Sequence, residues 1–245
     1  ASVYFDIDKF DEKIEVFTTR PDTLFGATYL VLSPEHELTK KISTNKSEIL
    51  RYIEDSSSKN DIQRLDLTKD KTGVFTGSYA INPVNNKKIP IWIADYVLVS
   101  YGTGAIMAVP GHDERDFEFA KKYKIHIEMV VSKSENLEVG DEPLFEDGYC
   151  VNSEFLNGLT TNQAKSKIIT WLEENSYGKK EVNFRLRDWL ISRQRYWGTP
   201  IPIVYDPEGN PHLVPEKHLP WVLPDDVEYK PKGTSPLGSS KELVE

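Results

Sequence analysis

One stretch of the sequence sets out a bend, a strand, a turn and a helix in succession: Tyr101-Gly-Thr-Gly-Ala-Ile-Met-Ala-Val-Pro-Gly-His-Asp-Glu-Arg-Asp116. Its apolar run over residues 105–109 predicts a buried strand, because glycine and proline bound the run on both sides. Pro110-Gly111 predicts a turn. We expect a helix to begin near Asp113, since an Asp side chain can accept hydrogen bonds from the first free amides of a helix.

Short strands and helices are mixed on both sides of this stretch. The pattern predicts strands at residues 13–19, 29–32, 97–99 and 127–131 and a β-hairpin at 72–93. It also predicts a short helix or turn at 24–29 with Asp22 as the cap, and surface helices within 35–71. An amphipathic helix is predicted at 161–174, with Ala164, Ile168, Ile169 and Leu172 inward. This order favours an α+β fold built on a closed or partly closed antiparallel sheet.

The character of the sequence changes near Asn183. Four arginines lie between Arg185 and Arg195, and prolines recur every few residues after Gly198. Such a proline density disfavours an independent core, so we predict a domain at residues 1–184 and a proline-rich connecting segment at 185–245. Because the sequence starts without Met, we expect an excised fragment. The arginines admit three readings: a contact with nucleic acid, a contact with an absent domain, or a solvated face.

Composition limits the classes of function. The 245 residues are 28% charged and 38% apolar, with a net charge of −9, which is typical of a soluble globular protein. No apolar run approaches the roughly 18 residues of a membrane span. The negative charge argues against an autonomous, tight nucleic-acid binder, which would be basic. It leaves open a module that reads one end of a nucleic acid held elsewhere.

The single cysteine and the N-terminus indicate the compartment. Cys150 alone cannot form an internal disulfide or a cysteine-based zinc site, and we expect it to be a small buried side chain. No signal peptide is visible at the N-terminus. The sequence therefore predicts a cytoplasmic protein, with an organellar parent as the alternative.

Three motifs are candidates for chemistry, and each has a structural alternative. The cluster His112-Asp113-Glu114-Arg115-Asp116 reads as a helix cap, as a weak metal site, or as a carboxylate that holds a ligand ammonium. Thr18-Thr-Arg-Pro-Asp-Thr23 reads as a strand end with a turn, or as a small polar pocket. Gly102-Thr-Gly104 reads as a tight corner, or as close approach of backbone to a ligand. Serine-hydrolase, zinc-helix, P-loop and dinucleotide-binding motifs are missing from the sequence.

Taken together, the motifs resemble leucyl-tRNA synthetase of the bacterial type. The resemblance is carried by residues 18–26, residues 101–116 and Arg185-Leu-Arg-Asp-Trp-Leu-Ile-Ser-Arg-Gln-Arg-Tyr-Trp-Gly198. The first two lie in the editing insertion of that family, called connective polypeptide 1. The resemblance implies the β-barrel-like editing domain of class I synthetases with surrounding helices, followed by an irregular proline-rich extension.

The resemblance also implies an activity. The two ATP-handling motifs of class I synthetases are missing from the sequence, so we expect no amino-acid activation and no cofactor, ATP serving only the full-length enzyme. We expect hydrolysis of the ester of mischarged tRNA(Leu), such as isoleucyl- or norvalyl-tRNA(Leu). The implied partners are the 3′ end of that tRNA and the rest of the synthetase, with no membrane, no metal and a monomeric state.

The family's pattern assigns roles to individual residues. Asp116 is implied as the anchor of the substrate ammonium, with Asp113 and His112 shaping the ribose end. Thr18 and Thr19 are implied to contact the ester or the attacking water. The adenosine and ribose cradle is implied to comprise Leu98, Tyr101, Met107 and Val109.

Two further residues of the threonine-rich motif receive roles. Thr23 is implied as a steric stop that excludes the γ-branch of leucine, and Arg20 as a brace of the loop. Two rival functions stay open at this point: a binding module for aminoacyl-adenosine that needs the full synthetase for turnover, and a metal-dependent hydrolase built on His112, Asp113 and Asp116.

Overall fold

The structure is a computed structural model. It describes residues 1–57, 64, 71–99, 102–134, 142–182, 202–220, 222, 224–227 and 240–241. The chain divides into two compact units, Ala1–Val182 and Asn183–Glu245. All candidate site residues lie in the first unit.

A seven-stranded mixed sheet organises the first unit. Its strands are β1 (Ser2–Ile7), β2 (Lys13–Phe17), β3 (Tyr29–Leu32), β4 (Gly73–Ile81), β5 (Lys88–Ala94), β6 (Ala105–Ala108) and β9 (Gly178–Lys179). The order is β2-β1-β4-β5-β3-β6, and β9 pairs with β1. A separate two-stranded sheet joins β7 (Val131–Ser132) to β8 (Tyr149–Cys150).

Helices pack around this sheet. They are α1 (Glu37–Ile42), α2 (Lys46–Ser57), α3 (Glu114–Tyr123) and α4 (Thr161–Glu174), with 3-10 turns at Pro21–Gly26 and Glu154–Leu156. The helix α4 contacts the first of these turns. None of the described helices has both the length and the apolar character that crossing a bilayer requires.

The sheet confirms the α+β class, but one strand pair departs from the antiparallel expectation. The pairs β1–β2, β4–β5 and β3–β6 are antiparallel, whereas β3 and β5 run parallel. A parallel pair needs a long crossover, and the chain supplies one through α1, α2 and β4. This pairing joins residues far apart in sequence, so a local pattern gives no sign of it.

The sheet curls without closing. Its two outermost strands, β2 and β6, lie in contact with each other. Among the described residues no hydrogen-bonded ladder joins them. The arrangement is an open curled sheet whose two edge strands face each other. We call the unpaired boundary between β2 and β6 the seam.

Several predicted elements match the structure closely. The strand at 29–32 and the helix at 161–174 have the predicted bounds, and the helix buries Ala164, Ile168 and Leu172 while Ile169 stays half-buried. The hairpin predicted at 72–93 is β4–β5. The strand predicted at 13–19 ends at Phe17.

Two predicted strands are wrong. Residues 97–99 form an irregular turn, because the carbonyls of Asp95 and Val97 accept hydrogen bonds from the Arg64 guanidinium instead of from a strand. The strand predicted at 127–131 is reduced to Val131–Ser132. There the amides of Val130 and Val131 donate to the ring of His112.

The second unit is a small hairpin in its described part. Strands β10 (Ile203–Tyr205) and β11 (Pro211–Leu213) pair antiparallel, and a 3-10 turn follows at Glu216–His218. The arginine-rich residues 185–195 lie outside the described part of the chain.

Candidate functional site

The first turn of α3 carries the acidic residues of the candidate site. Asp113 is the cap of the helix: its Oδ1 accepts hydrogen bonds from the amides of Arg115 at 2.9 Å and Asp116 at 3.1 Å. The predicted cap is therefore confirmed. Asp116 lies in the first turn and is only 5% exposed, which is rare for an Asp without a cationic partner.

The carboxylate of Asp116 is held by backbone. Its Oδ2 accepts a hydrogen bond of 2.9 Å from the amide of Val109, at the end of β6. Burial, with a further contribution from the nearby Asp113 carboxylate, raises the pKa of Asp116 to about 8. A buried carboxyl with such a pKa is largely protonated at neutral pH, and a cation beside it would favour its charged form.

Tyr29 of β3 fixes the backbone of the same turn. Its hydroxyl donates a hydrogen bond of 3.0 Å to the carbonyl of Asp116, and its ring stacks on Phe119 with centroids 5.4 Å apart. The helix that carries Asp116 is thus attached to the centre of the sheet. A side chain on such a support keeps its position without a ligand.

His112 is used as a structural link. Its Nε2 accepts hydrogen bonds from the amides of Val130 at 2.9 Å and Val131 at 3.0 Å, so the proton lies on Nδ1, which donates to the carbonyl of Leu144 at 2.7 Å. Burial lowers the pKa of His112, and the ring is neutral. Both nitrogens are engaged, so neither lone pair is available to a metal ion. Within the described ranges no three His, Cys, Asp or Glu side chains are grouped as a metal site would require.

The threonine-rich motif forms a strand end followed by a 3-10 turn. Thr18 Oγ1 accepts a hydrogen bond of 3.0 Å from the amide of Arg20, and Thr23 Oγ1 donates one of 2.9 Å to the carbonyl of Arg20. Thr23 is 1% exposed. Its hydrogen bond to the Arg20 carbonyl fixes the direction of its methyl group. Thr19 is exposed and Thr18 is half-buried.

Arg20 braces this loop through its side chain. Its guanidinium binds both oxygens of the buried Asp22, with Nη2 at 2.9 Å from Oδ2, and its Nη1 lies 3.5 Å from Asp147. Asp22 is therefore not the helix cap predicted from the sequence: its carboxylate is occupied by Arg20, which itself takes the cap position.

The segment from Thr18 to Gly26, which we call the threonine turn, approaches Val109 through Gly26. A Cβ placed on Gly26 would lie 3.2 Å from Cγ1 of Val109 and 2.7 Å from Val130, so only glycine allows this approach. The amide of Thr28 donates to the carbonyl of Ala108 at 3.1 Å. Val109 thus contacts the threonine turn with its side chain and holds Asp116 with its amide.

The glycine bend lies beside the end of β2. Gly102 and Gly104 have positive φ angles of 67° and 70°, which confirms the predicted corner. A Cβ on Gly102 would lie 3.8 Å from Cβ of Phe17, the residue before Thr18. Met107 is 8% exposed in β6. Tyr101 lies outside the described residues.

Arg64 holds the turn that precedes this bend. Its Nε and Nη2 donate to the carbonyls of Asp95 at 2.6 Å and Val97 at 3.1 Å, and it forms an ion pair with Glu35, Nη1 to Oε1, at 2.7 Å. The half-buried Leu98 follows directly. Arg64 therefore fixes the backbone that directly precedes Leu98.

Both the sequence and the fold of the chain are similar to those of known proteins. Residues 1–173 match the sequence model of the family described as leucyl-tRNA synthetase, editing domain. The chain belongs to the leucyl-tRNA synthetase editing-domain family. The crystal structure of the ternary complex of Agrobacterium radiobacter K84 agnB2 LeuRS with tRNA and LeuAMS has a similar fold. It is 33% identical with a TM-score of 0.64, over 94% of this chain and 26% of that chain. This chain thus spans about a quarter of that LeuRS.

Sequence reasoning missed three contributors to the site of this editing domain. The Val109 amide, the Tyr29 hydroxyl and the Arg64 guanidinium each act through hydrogen bonds between residues distant in sequence. A backbone donor has no sequence signal at all. For Tyr29 the pattern predicts only membership of a strand.

Cys150 has no catalytic character in this editing domain. It is buried, and burial raises the pKa of its thiol to about 11. A thiol with that pKa is protonated near neutral pH and is a poor nucleophile. Its role as a small buried side chain is confirmed.

Proposed function

We propose that this editing domain hydrolyses the ester bond of mischarged tRNA(Leu), with isoleucyl and norvalyl esters as substrates and leucyl ester rejected. The observation that carries the proposal is the buried Asp116 carboxyl, hydrogen-bonded to the Val109 amide beside the threonine turn. Membership of the editing-domain family supports aminoacyl-tRNA hydrolysis as the general activity.

Binding energy explains why such a site is needed. A hydrophobic pocket distinguishes side chains that differ by one methylene by only about 1–3 kcal/mol. A synthetic site for leucine therefore accepts some smaller or differently branched amino acids. A second pocket that excludes leucine and hydrolyses the rest supplies the missing discrimination.

Asp116 is the proposed anchor of the α-ammonium group. With its pKa near 8, it is largely protonated in the free domain at neutral pH. An ammonium group placed against Asp116 favours the charged form of its carboxyl, so Asp116 loses its proton as the ion pair forms. The Val109 amide stabilises the same carboxylate oxygen.

The threonine turn is proposed to face the amino-acid side chain and the ester. Thr23 has its methyl direction fixed by its bond to the Arg20 carbonyl, as a steric stop requires. Thr19, which is exposed, and Thr18 are proposed to position the ester or the attacking water. Arg20 braces the turn through Asp22.

The adenosine end is proposed to lie along the glycine bend and β6. The side chains of Met107 and Val109 are buried, so they contribute to a cradle mainly through the adjoining backbone. Leu98 and Tyr101 complete the proposed cradle, with Asp113 and His112 behind the ribose.

Hydrolysis by this route needs no protein nucleophile and no cofactor. An aminoacyl ester is already activated, and a positioned water completes the reaction, with positioning as the main source of acceleration. Neither Cys150 nor His112 has a free reactive atom in the described geometry. The proposed partners of this domain are the rest of the synthetase and the 3′ end of the tRNA. We propose that the parent synthetase is cytoplasmic and monomeric.

The testing experiment is deacylation by the purified 245-residue chain. Isoleucyl- and norvalyl-tRNA(Leu) are substrates, leucyl-tRNA(Leu) is the paired control, and Asp116→Ala is the inactive reference. Selective loss of the noncognate esters supports the proposal. Stable esters together with binding of a nonhydrolysable aminoacyl-adenosine would instead identify a binding module that depends on the rest of the synthetase for turnover.

A further inference from the structure

A groove adjoining the candidate site lies on the outer face of β4 and β5. Its floor is aromatic, formed by Phe75, Tyr79 and Trp92, and three lysines lie at its rim: Lys87, Lys88 and Lys124. We call it the aromatic groove. It encloses about 390 Å³, within the range of roughly 300–1,000 Å³ of small-molecule sites. Phe25 of the groove wall belongs to the 3-10 turn at Pro21–Gly26, and Ala27 and Thr28 directly follow that turn; the floor and the lysine rim lie outside the candidate editing site.

The strand register creates the floor. Phe75 lies opposite Trp92, and Tyr79 opposite Pro90, with an irregular register between them. The Phe75 ring lies 5.5 Å from Tyr79 and 5.6 Å from Trp92, centroid to centroid. Tyr79 is 40% exposed. Aromatic surface of this kind is costly to leave in water and offers flat faces for stacking.

The rim is cationic although the chain as a whole is acidic. Lys88 forms an ion pair with Asp8 at 2.9 Å. Lys87 and Lys124 are exposed, and neither has a carboxylate partner among the described residues. The remaining charged side chain at the groove is Glu128, whose Oε2 lies 3.1 Å from Nε2 of His126. Among the described residues, Lys87 and Lys124 therefore lie at the groove without a carboxylate partner, and Glu128 is the one carboxylate of the lining.

Two buried polar atoms in the groove wall lack partners. Among the described residues, neither Nε1 of Trp92 nor Oγ1 of Thr28 has a hydrogen-bond partner, and both residues line the cavity. Both atoms are shielded from solvent, so they are not among the groups that a ligand in the groove would contact.

We propose that the aromatic groove binds a nucleotide of single-stranded RNA. The base stacks on the aromatic floor, the phosphate lies at Lys87 and Lys124, and the Glu128 carboxylate accepts a hydrogen bond from a ribose hydroxyl. Stacking platforms bordered by cations are the usual means of binding single strands without sequence preference. The biological source of the RNA rests on the proposed function, since it is the tRNA substrate. The groove gives the acidic domain a second contact with it.

The probe is a short oligoadenylate labelled at its 5′ end and phosphorylated at its 3′ end. The 3′ phosphate prevents its terminus from imitating an aminoacylated end, so binding reports on the groove. Fluorescence anisotropy with the full 245-residue chain gives the dissociation constant over a series of salt concentrations. The cationic variant is Lys87→Ala with Lys124→Ala. Its matched control is Lys40→Ala with Lys46→Ala, two exposed lysines of α1 and α2.

The aromatic variant is Tyr79→Ala, and its control is Phe145→Ala, at a ring that is 48% exposed elsewhere on the surface. We expect Tyr79→Ala to weaken binding at least about fivefold, the lower limit for losing one base–aromatic stack, and the lysine pair to weaken binding most at low salt. The lysine pair should also reduce the salt slope by about 0.7, because the two lysines hold one phosphate and each phosphate contact contributes about 0.7 on a single strand. The controls should bind as the unmodified chain does.

Three results would overturn the proposal: no binding by the unmodified chain, unchanged binding by both groove variants, or equal loss in variants and controls. The first result would leave the groove as a surface for protein. Deacylation of mischarged tRNA(Leu), measured on the same preparations, separates this test from the proposed function. A chain that deacylates without binding oligoadenylate disproves only the groove assignment, whereas one that binds without deacylating disproves only the hydrolysis.

Discussion

The amide of Val109 donates a hydrogen bond of 2.9 Å to Oδ2 of Asp116. This bond joins the end of β6 to the first turn of α3, and Val109 also contacts Gly26 of the threonine turn. One residue therefore sets the position of both halves of the candidate site. Because the bond comes from backbone, substitution of the Val109 side chain leaves the donor in place.

Replacement of Asp116 by Asn should abolish deacylation and stabilise the fold at alkaline pH. The pKa of Asp116 is about 8 in the folded chain against an ordinary 3.8, so the folded state holds an extra proton between these values. Stability then falls as the pH rises through that window, by about 1.4 kcal/mol per pH unit. The amide of the Asp116→Asn variant does not titrate, so it would avoid this loss, and its oxygen would still accept the Val109 hydrogen bond.

The measurement is thermal unfolding of both proteins from pH 4 to pH 9. The midpoint of Asp116→Asn should exceed that of the unmodified chain by about 3 °C or more at high pH, and the difference should shrink towards pH 4. Equal midpoints at pH 9 would contradict the raised pKa. Retained deacylation would contradict the anchor role.

The pH profile of deacylation should be bell-shaped with a maximum near pH 8. The ion pair requires Asp116 deprotonated, which occurs above its pKa of about 8, and requires a protonated substrate amine, whose pKa is also about 8. Asp113→Asn keeps the helix cap but removes a charge that raises the pKa of Asp116. The acidic limb should then move to lower pH.

The control for this profile is Glu114→Gln, which removes one exposed carboxylate from the same turn. Its acidic limb should stay in place, and spontaneous ester hydrolysis is subtracted at each pH. A limb that moves equally in both variants would show a general effect of charge rather than the coupling between Asp113 and Asp116.

Thr23 should exclude leucine by its shape. Thr23→Ala removes the methyl group and should increase the hydrolysis of leucyl-tRNA(Leu) at least about tenfold, the lower value for one methylene in a pocket. Thr23→Val keeps the branched shape and loses only the hydroxyl that donates to the Arg20 carbonyl. It should still protect leucine. If the Val variant behaves like the Ala variant, the hydroxyl and not the shape is responsible.

Arg64→Lys should weaken substrate binding, because Lys cannot reproduce the fork that holds Glu35 and the carbonyls of Asp95 and Val97. We expect KM for mischarged tRNA(Leu) to rise several-fold with a smaller change in kcat. Arg51→Lys, at an exposed position of α2, is the control. A change in kcat alone would show that Arg64 does not position the Leu98 turn for binding.

Treatment with EDTA should leave deacylation unchanged. Both nitrogens of His112 are hydrogen-bonded to backbone groups, so the metal-dependent alternative lacks its central ligand. Activity that disappears in EDTA and returns with a divalent ion would support that alternative and oppose the hydrolysis route through Asp116.

The spacing of apolar residues along the sequence predicts those helices and strands whose buried face is visible in their own sequence. The helix α4 and the strand β3 have the predicted bounds because their apolar residues recur with the period of the element. The α3 cap is predictable for the same reason, since Asp113 binds amides only two and three residues away. Strand β1 is missing from the predicted elements, although its buried residues alternate at Val3, Phe5 and Ile7.

The features that the local sequence pattern does not predict depend on contacts between residues that are distant in the sequence. The parallel pairing of β3 with β5 joins Val31 to Trp92, and no property of either strand alone specifies it. In the candidate site, motifs identify the residue types, but they assign Asp22 to a cap while its carboxylate binds Arg20. The Val109 amide is a group that nearly every residue has, and it gives no signal.

The seam between β2 and β6 leaves the sheet with two strand edges that a complete barrel would not have. Closure by a ladder would consume the main-chain donors and acceptors of both edges; the described residues form no such ladder there. The end of β2 leads directly into Thr18, and the start of β6 follows the glycine bend. A strand that paired with either edge would be held by peptide groups, which every sequence possesses. Such pairing would therefore tolerate substitution of the surrounding side chains.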